Sequence, residues 1–216
     1  MPTPHLSNIS EEPEIRAAEL NSQFEIGGHW FDVHAVGARG CQVTSREVDD
    51  VRQTLKYNLE CSVTWFEADH KELGPIRIFQ DPRIVNKGWI LARKSRDDSY
   101  TIPALSYFNQ HLIFHIGEDY LYYPRAWQVT SAITAWPPEY HQYHHLEDRT
   151  PVFDLLSRKP NVATKGISTI SILGKLDSGT EERYRESLAK ELDQFNKLPA
   201  SKMTPEDLTP AQAARG

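Results

Sequence analysis

Short runs of alternating apolar and polar residues, each closed by a tight-turn signal, recur along most of this chain. A period of two confines it to sheet-building folds. Residues 24–26, then Gly27-Gly28, then residues 29–36 read as a hairpin, because paired glycines supply the positive φ angles a two-residue turn needs. Phe31, Val33 and Ala35 fall on one face of its second strand, and Trp30, Asp32 and His34 on the other. Cys61, Val63 and Trp65 alternate with Ser62, Thr64 and Phe66. Residues 76–79 and 89–93 are short strands, and 100–108 are extended, with Pro103 pointing to an edge or a bulge. Leu112, Phe114 and Ile116 share a strand face before Gly117-Glu118-Asp119 turns the chain into residues 120–123. A further strand covers 167–173.

Four segments carry helical signals. Ser10 can cap a short helix with Pro13 in its first turn and Ile15, Ala18 and Leu20 on it. Thr44-Ser45-Arg46-Glu47 has the capping-box pattern, followed by Val48, Val51, Leu55 and Leu59, which predicts a helix over 46–58. Pro124 suits a first helical position, with Val129, Ala132, Ile133 and Trp136 behind it and Pro137-Pro138 as the stop. Ser178 and Thr180 open a helix over about 180–196 with Tyr184, Leu188, Leu192 and Phe195 as its buried stripe. Residues 139–166 carry no assignable pattern. With no run of βαβ units, the expected class is α+β: a mainly antiparallel, curved sheet with two to four helices on one face. Residues 1–9 read as an arm, 10–198 as one domain and 199–216 as a tail.

Composition narrows the functions. The 216 residues are 39% hydrophobic and 25% charged, so the chain can bury about 70% of its unfolded surface without staples. Net charge is -6, with Lys and Arg scattered among acids, which argues against a nucleic-acid partner. No apolar run nears the ~20 residues of a membrane span, and residues 1–14 lack signal-peptide features, so the expected address is cytoplasm or nucleus without membrane insertion. Cys41 and Cys61 form no CxxC pair and read as buried thiols. Without a P-loop, a GxGxxG or a GxSxG motif, no cofactor is expected.

Nine histidines invite a search for convergence. His111 and His115 would chelate on a helix. On the expected strand they stand roughly 13 Å apart and read as half-buried polar side chains. His141, His144 and His145 have zincin-like spacing if helical, yet Gln142 replaces the glutamate that such hydrolysis needs. A plain metal site there, helped by Glu139, Glu147 or Asp148, competes with a polar surface loop. Asp50 with Asp69-His70-Lys71 loosely matches a nuclease spacing, against a solvated turn.

Two functional readings follow. Tyr120, Tyr122, Tyr123, Trp127, Trp136, Tyr140 and Tyr143 crowd one stretch, which suits an interface, a pocket or a core. The first reading is a non-enzymatic subunit docking other protein subunits through Tyr120, Tyr123, Trp127, Trp136, Tyr140 and Tyr143 and through its tails. The alternative is a small-molecule enzyme of dehydratase, isomerase or cyclase type, with His34, His111, His115 and Tyr122 as the acid–base candidates.

Overall fold

The computed structural model describes residues 14–96, 101–123, 125–135, 138, 140–146, 149–155, 160–165 and 169–202. Its strands are β1 (Glu14–Ile26), β2 (His29–Asp49), β3 (Thr54–His70), β4 (Gly74–Gln80), β5 (Lys87–Arg93), β6 (Ala104–Gln110), β7 (Leu112–Ile116), β8 (Asp119–Tyr122), β9 (Trp127–Ile133), β10 (His141–His145), β11 (Arg149–Asp154), β12 (Pro160–Lys165) and β13 (Thr169–Lys175). Helix α1 (Ser178–Lys197) follows, and a short 3-10 turn spans Pro199–Lys202.

The strands close on themselves. All pairings are antiparallel, and each of the later chain passes is one strand broken in the middle. β4 and β5 lie along the two halves of β3, and β12 and β13 lie along the two halves of β1. Between them β7 pairs β8 and β8 pairs β11 at one end, while β6 pairs β9 and β9 pairs β10 at the other. The result is a closed eight-stranded barrel with one C-terminal helix. First strand meets last, so the backbone edges of an open sheet are paired off.

This corrects the expected curved sheet with two to four helices. The segment over 46–58 is the end of β2, a turn and the start of β3. Leu55 and Leu59 face the barrel interior, while Val51 sits in the turn at 95% exposure. The capping-box residues are cross-strand partners instead: Asn58 Nδ2 donates to Ser45 Oγ at 2.9 Å and to the Glu47 carboxylate. Ile15, Ala18 and Leu20 belong to β1, and Val129 and Ile133 to β9. Spacing of four is one helical turn, but it is also two strand repeats, so it cannot separate the two structures.

The hairpin at Gly27-Gly28 forms as expected, with φ of 59° and 83°. Helix α1 also forms, capped by Asp177, whose side chain accepts from Thr180 N at 2.9 Å. Its stripe of Tyr184, Leu188, Leu192 and Phe195 packs outside the barrel on Ala38, Val63, Trp65, Phe79, Ile113 and Tyr122. A second, larger apolar cluster faces the interior and includes Leu20, Phe24, Val33, Phe66, Ile78, Phe108, Phe114 and Trp127. The wall around α1 is therefore apolar on both faces.

Bulges decide which residues point where. Gly40 pairs with Val63 but Cys41 pairs with Cys61, leaving Ser62 over. That extra residue shifts the alternation by one. Cys61 faces inward, whereas Val63 and Trp65 face α1 and Phe66 faces inward again. The single face expected for Cys61, Val63 and Trp65 is broken there.

Candidate functional site

The inward face of β2 runs Val33, Ala35, Gly37 and then Arg39. The pleat thus carries an arginine into the apolar interior, where it is only 4% exposed. Its guanidinium lies over the Phe108 ring at 4.1 Å and near the Tyr143 ring at 5.3 Å. Nη2 stands 3.9 Å from Cys61 Sγ. Gln110, with its amide oxygen turned toward Arg39, accepts from Nη1 at 3.1 Å. Beside it the Tyr143 hydroxyl donates to Ser106 Oγ at 2.9 Å. Burial alone would lower the Arg39 pKa. The nearby Cys61, Cys41 and Tyr143 groups hold it above the ordinary arginine value. Burial likewise pushes the Tyr143 phenol well up, so it stays a proton donor.

The two cysteines share this wall. Their sulfurs are 3.6 Å apart across the β2–β3 pair. The hydrogen bond to Cys61 raises Cys41 well above the ordinary thiol value, with burial acting the same way. Cys61 is lowered to about 7, chiefly by the hydrogen bond from Cys41 and then by Arg39, with burial opposing.

A different polar cluster sits on the outer wall beneath α1. His115 Nδ1 is 2.7 Å from Glu191 Oε1, and the Tyr120 hydroxyl donates to the same oxygen at 2.7 Å. The His115 and Tyr120 rings stack at 4.1 Å. This group ties the helix to the barrel.

The acid–base candidates do not converge. His34 points outward, 2.8 Å from Asn21 Oδ1. His111 sits at the break between β6 and β7, and its backbone is what the fold uses. Its N–H donates to Asn86 Oδ1 at 2.7 Å and its carbonyl accepts from Asp81 N at 2.9 Å. Burial lowers the His111 ring pKa, with Asp81 opposing. His115 lies under α1, and Tyr122 is buried on that outer face beside Phe153. His141, His144 and His145 lie on strand β10, not on a helix. His145 is buried against Trp127, His144 is exposed, and His141 Nε2 accepts from Thr134 N at 2.9 Å. Among the described residues no group of three or more His, Cys, Asp or Glu could hold a metal ion. Glu139, Glu147 and Asp148 lie outside the described residues. Asp50 pairs with Lys94, while Asp69 lies at the opposite end of β3 beside Arg77.

Of the aromatic docking candidates, Tyr123, Trp127 and Tyr143 are core residues of the interior, and Tyr120 is half-buried under α1. Tyr140 is 80% exposed, and Trp136 lies outside the described residues, as do the expected arm 1–9 and residues 203–216 of the expected tail. A groove of about 370 Å³ on the outer wall is lined by Asn58, Glu60, Lys87, Trp89 and Asn109 among others. Trp89 and Tyr107 stack beside it at 5.2 Å.

Arg39, Ser106, Gln110 and Tyr143 were not foreseen as one group. The signal for Arg39 was present, since it continues the apolar face of Val33 and Ala35. Its neighbours come from β6 and β10, which only barrel closure brings near.

Fold and interior together define a closed up-and-down β-barrel with a buried cation set in its apolar inner wall. No family model and no curated protein matches the sequence. The barrel resembles the structure of DynF from the dynemicin biosynthesis pathway of Micromonospora chersina, with a TM-score of 0.68 at 13% identity, covering 83% of this chain and 88% of that one. No helix among the described residues is long and apolar enough to cross a membrane.

Proposed function

We propose that this chain takes a small, largely apolar molecule bearing an anionic group inside its barrel, with Arg39 receiving the charge. The observation that carries the reading is that no carboxylate pairs with Arg39 among the described residues. Buried Asp81 is paired with Arg83, and buried Glu191 with His115. Buried Arg39 faces only thiols, rings and an amide among the described residues. Burying an ion without a partner costs several kcal/mol, and an anionic ligand would offset that cost. The apolar residues around it suit the rest of such a molecule, since small-molecule sites are mostly apolar with a few polar groups fixing orientation. The fold likeness to a biosynthesis-pathway protein favours small-molecule handling over docking.

Acid–base turnover of the dehydratase, isomerase or cyclase kind is the second reading. The Tyr143 hydroxyl and the Cys61 thiol beside the same guanidinium favour it. It moves the candidate groups from His34, His111, His115 and Tyr122 to the inner wall.

Two fluorescent probes of the same body test the binding reading. 1-Anilinonaphthalene-8-sulfonate carries a sulfonate and N-phenyl-1-naphthylamine does not. Wild type should prefer the sulfonate, and Arg39→Met should lose about 10- to 100-fold of that preference while keeping the neutral probe. Equal loss of both probes, or no preference in wild type, would remove Arg39 from this role.

A further inference from the structure

We propose that Cys41 and Cys61 are a peroxide-reactive dithiol, in which Cys61 attacks, Cys41 resolves, and Arg39 is the positioning residue for the attacking sulfur. The proposal stands on geometry; it shares Arg39 with the ligand reading, since a Cys61 thiolate and an anionic ligand would draw on the same guanidinium. The two cysteines are direct cross-strand partners at the bulge that leaves Ser62 unmatched. Both side chains point to the same side, with their sulfurs in hydrogen-bond contact at 3.6 Å. A disulfide bond is about 2 Å long, so each sulfur need move less than an ångström. Neither is bonded now. They are the two cysteines of the whole sequence, so neither has another thiol within the chain to join.

The environment separates their roles. Arg39 Nη2 reaches Cys61 at 3.9 Å. A cation there favours thiolate over thiol, and thiolate is the nucleophile. The hydrogen bond from Cys41 and the Arg39 charge lower Cys61 to about 7, against its burial, while Cys41 stays protonated. Cys41 is half-buried and Cys61 is buried beside it, so a small oxidant would reach Cys61 past Cys41.

The step balances with hydrogen peroxide as the oxidant. The Cys61 thiolate attacks one oxygen, the O–O bond breaks, and hydroxide leaves and takes a proton to become water. This forms a sulfenic acid on Cys61. Cys41 Sγ then displaces the sulfenic oxygen as a second water, with the thiol proton leaving on it. Two electrons pass from the two sulfurs to peroxide, and the S–S bond closes. An external dithiol reverses it by exchange.

The test uses the full chain, reduced, then treated with a small excess of hydrogen peroxide at pH 7. Mass spectrometry should show a loss of 2 Da and one linkage between the peptides holding Cys41 and Cys61, reversed by dithiothreitol. Cys41→Ser should instead accumulate a sulfenic acid at Cys61 that dimedone traps, and Cys61→Ser should trap none. The pH profile of Cys61 alkylation should have its midpoint near 7. Arg39→Gln should slow alkylation at pH 7 by about fivefold, the effect of roughly one pKa unit. If that variant does not fold, the wild-type midpoint decides, because a value at or above about 8.5 is that of an unassisted thiol. Two thiols still free after exposure that oxidises small thiols, or linkage only between chains, would overturn the proposal.

Discussion

His115 and Glu191 meet across the seam between barrel wall and C-terminal helix, His115 Nδ1 lying 2.7 Å from Glu191 Oε1. Tyr120 completes the seam by donating to the same oxygen at 2.7 Å. His115, one of the acid–base candidates, is thus used to dock α1.

Glu191→Gln should lower stability by about 1–3 kcal/mol, since it removes charge from buried hydrogen bonds but keeps their shape. Urea denaturation followed by far-UV circular dichroism measures it. His115→Ala should cost a similar amount and leave sulfonate-probe binding unchanged, because the seam lies outside the barrel.

Acid should open the same seam. Burial would raise the Glu191 pKa, but the close His115 ring nitrogen and the hydrogen bond from Tyr120 outweigh it and hold the carboxyl below its ordinary value. A folded pKa below the unfolded one contributes stability that is complete above about 4.3 and is lost as pH falls through the folded value. Melting temperature should therefore fall more steeply below about pH 4.3 in wild type than in Glu191→Gln. Parallel curves would show that this carboxylate is not the linked group.

Gly37 is fixed by a close backbone approach. A Cβ placed on it would fall 1.8 Å from the Trp65 carbonyl oxygen, which belongs to the facing strand and cannot swing aside. Even Gly37→Ala should force β2 and β3 apart and cost about 3 kcal/mol or more, in line with overpacking. Thermal melts would show it. An alanine variant as stable as wild type would mean the strands part without loss.

Phe195 anchors the end of α1, fully buried, edge-on to Phe79 at 5.9 Å and beneath the Arg83 guanidinium at 5.4 Å. Phe195→Ala should cost about 3–5 kcal/mol. Amide exchange should rise in α1 before it rises in β2 and β3, because the interior cluster does not include Phe195.

Much of the local structure could be read directly. The 27–28 turn, the strands near 76–79, 89–93 and 112–116, and helix α1 all follow from residue type and spacing. The helices expected at 46–58 and after Pro124 failed for one shared reason. Leu55 with Leu59, and Val129 with Ile133, stand four apart, and that spacing places a pair on one face of either structure. The aromatic run failed differently. Tyr143 and Tyr140 are alike in type, yet one is in the core and the other in solvent, and nothing local distinguishes them.

The chain's own residues determined that it would pleat, turn at glycines and form an amphipathic helix over Ser178–Lys197, because those preferences act over a few neighbouring positions. Closure of the sheet into a barrel, and the meeting of Arg39 with Cys61, Phe108, Gln110 and Tyr143, were decided only in three dimensions. Pairing the first strand with the last, and the single leftover Ser62 that shifts the alternation, set which face each side chain takes. Both depend on partners 20 or more residues away, whose register no short stretch of sequence encodes.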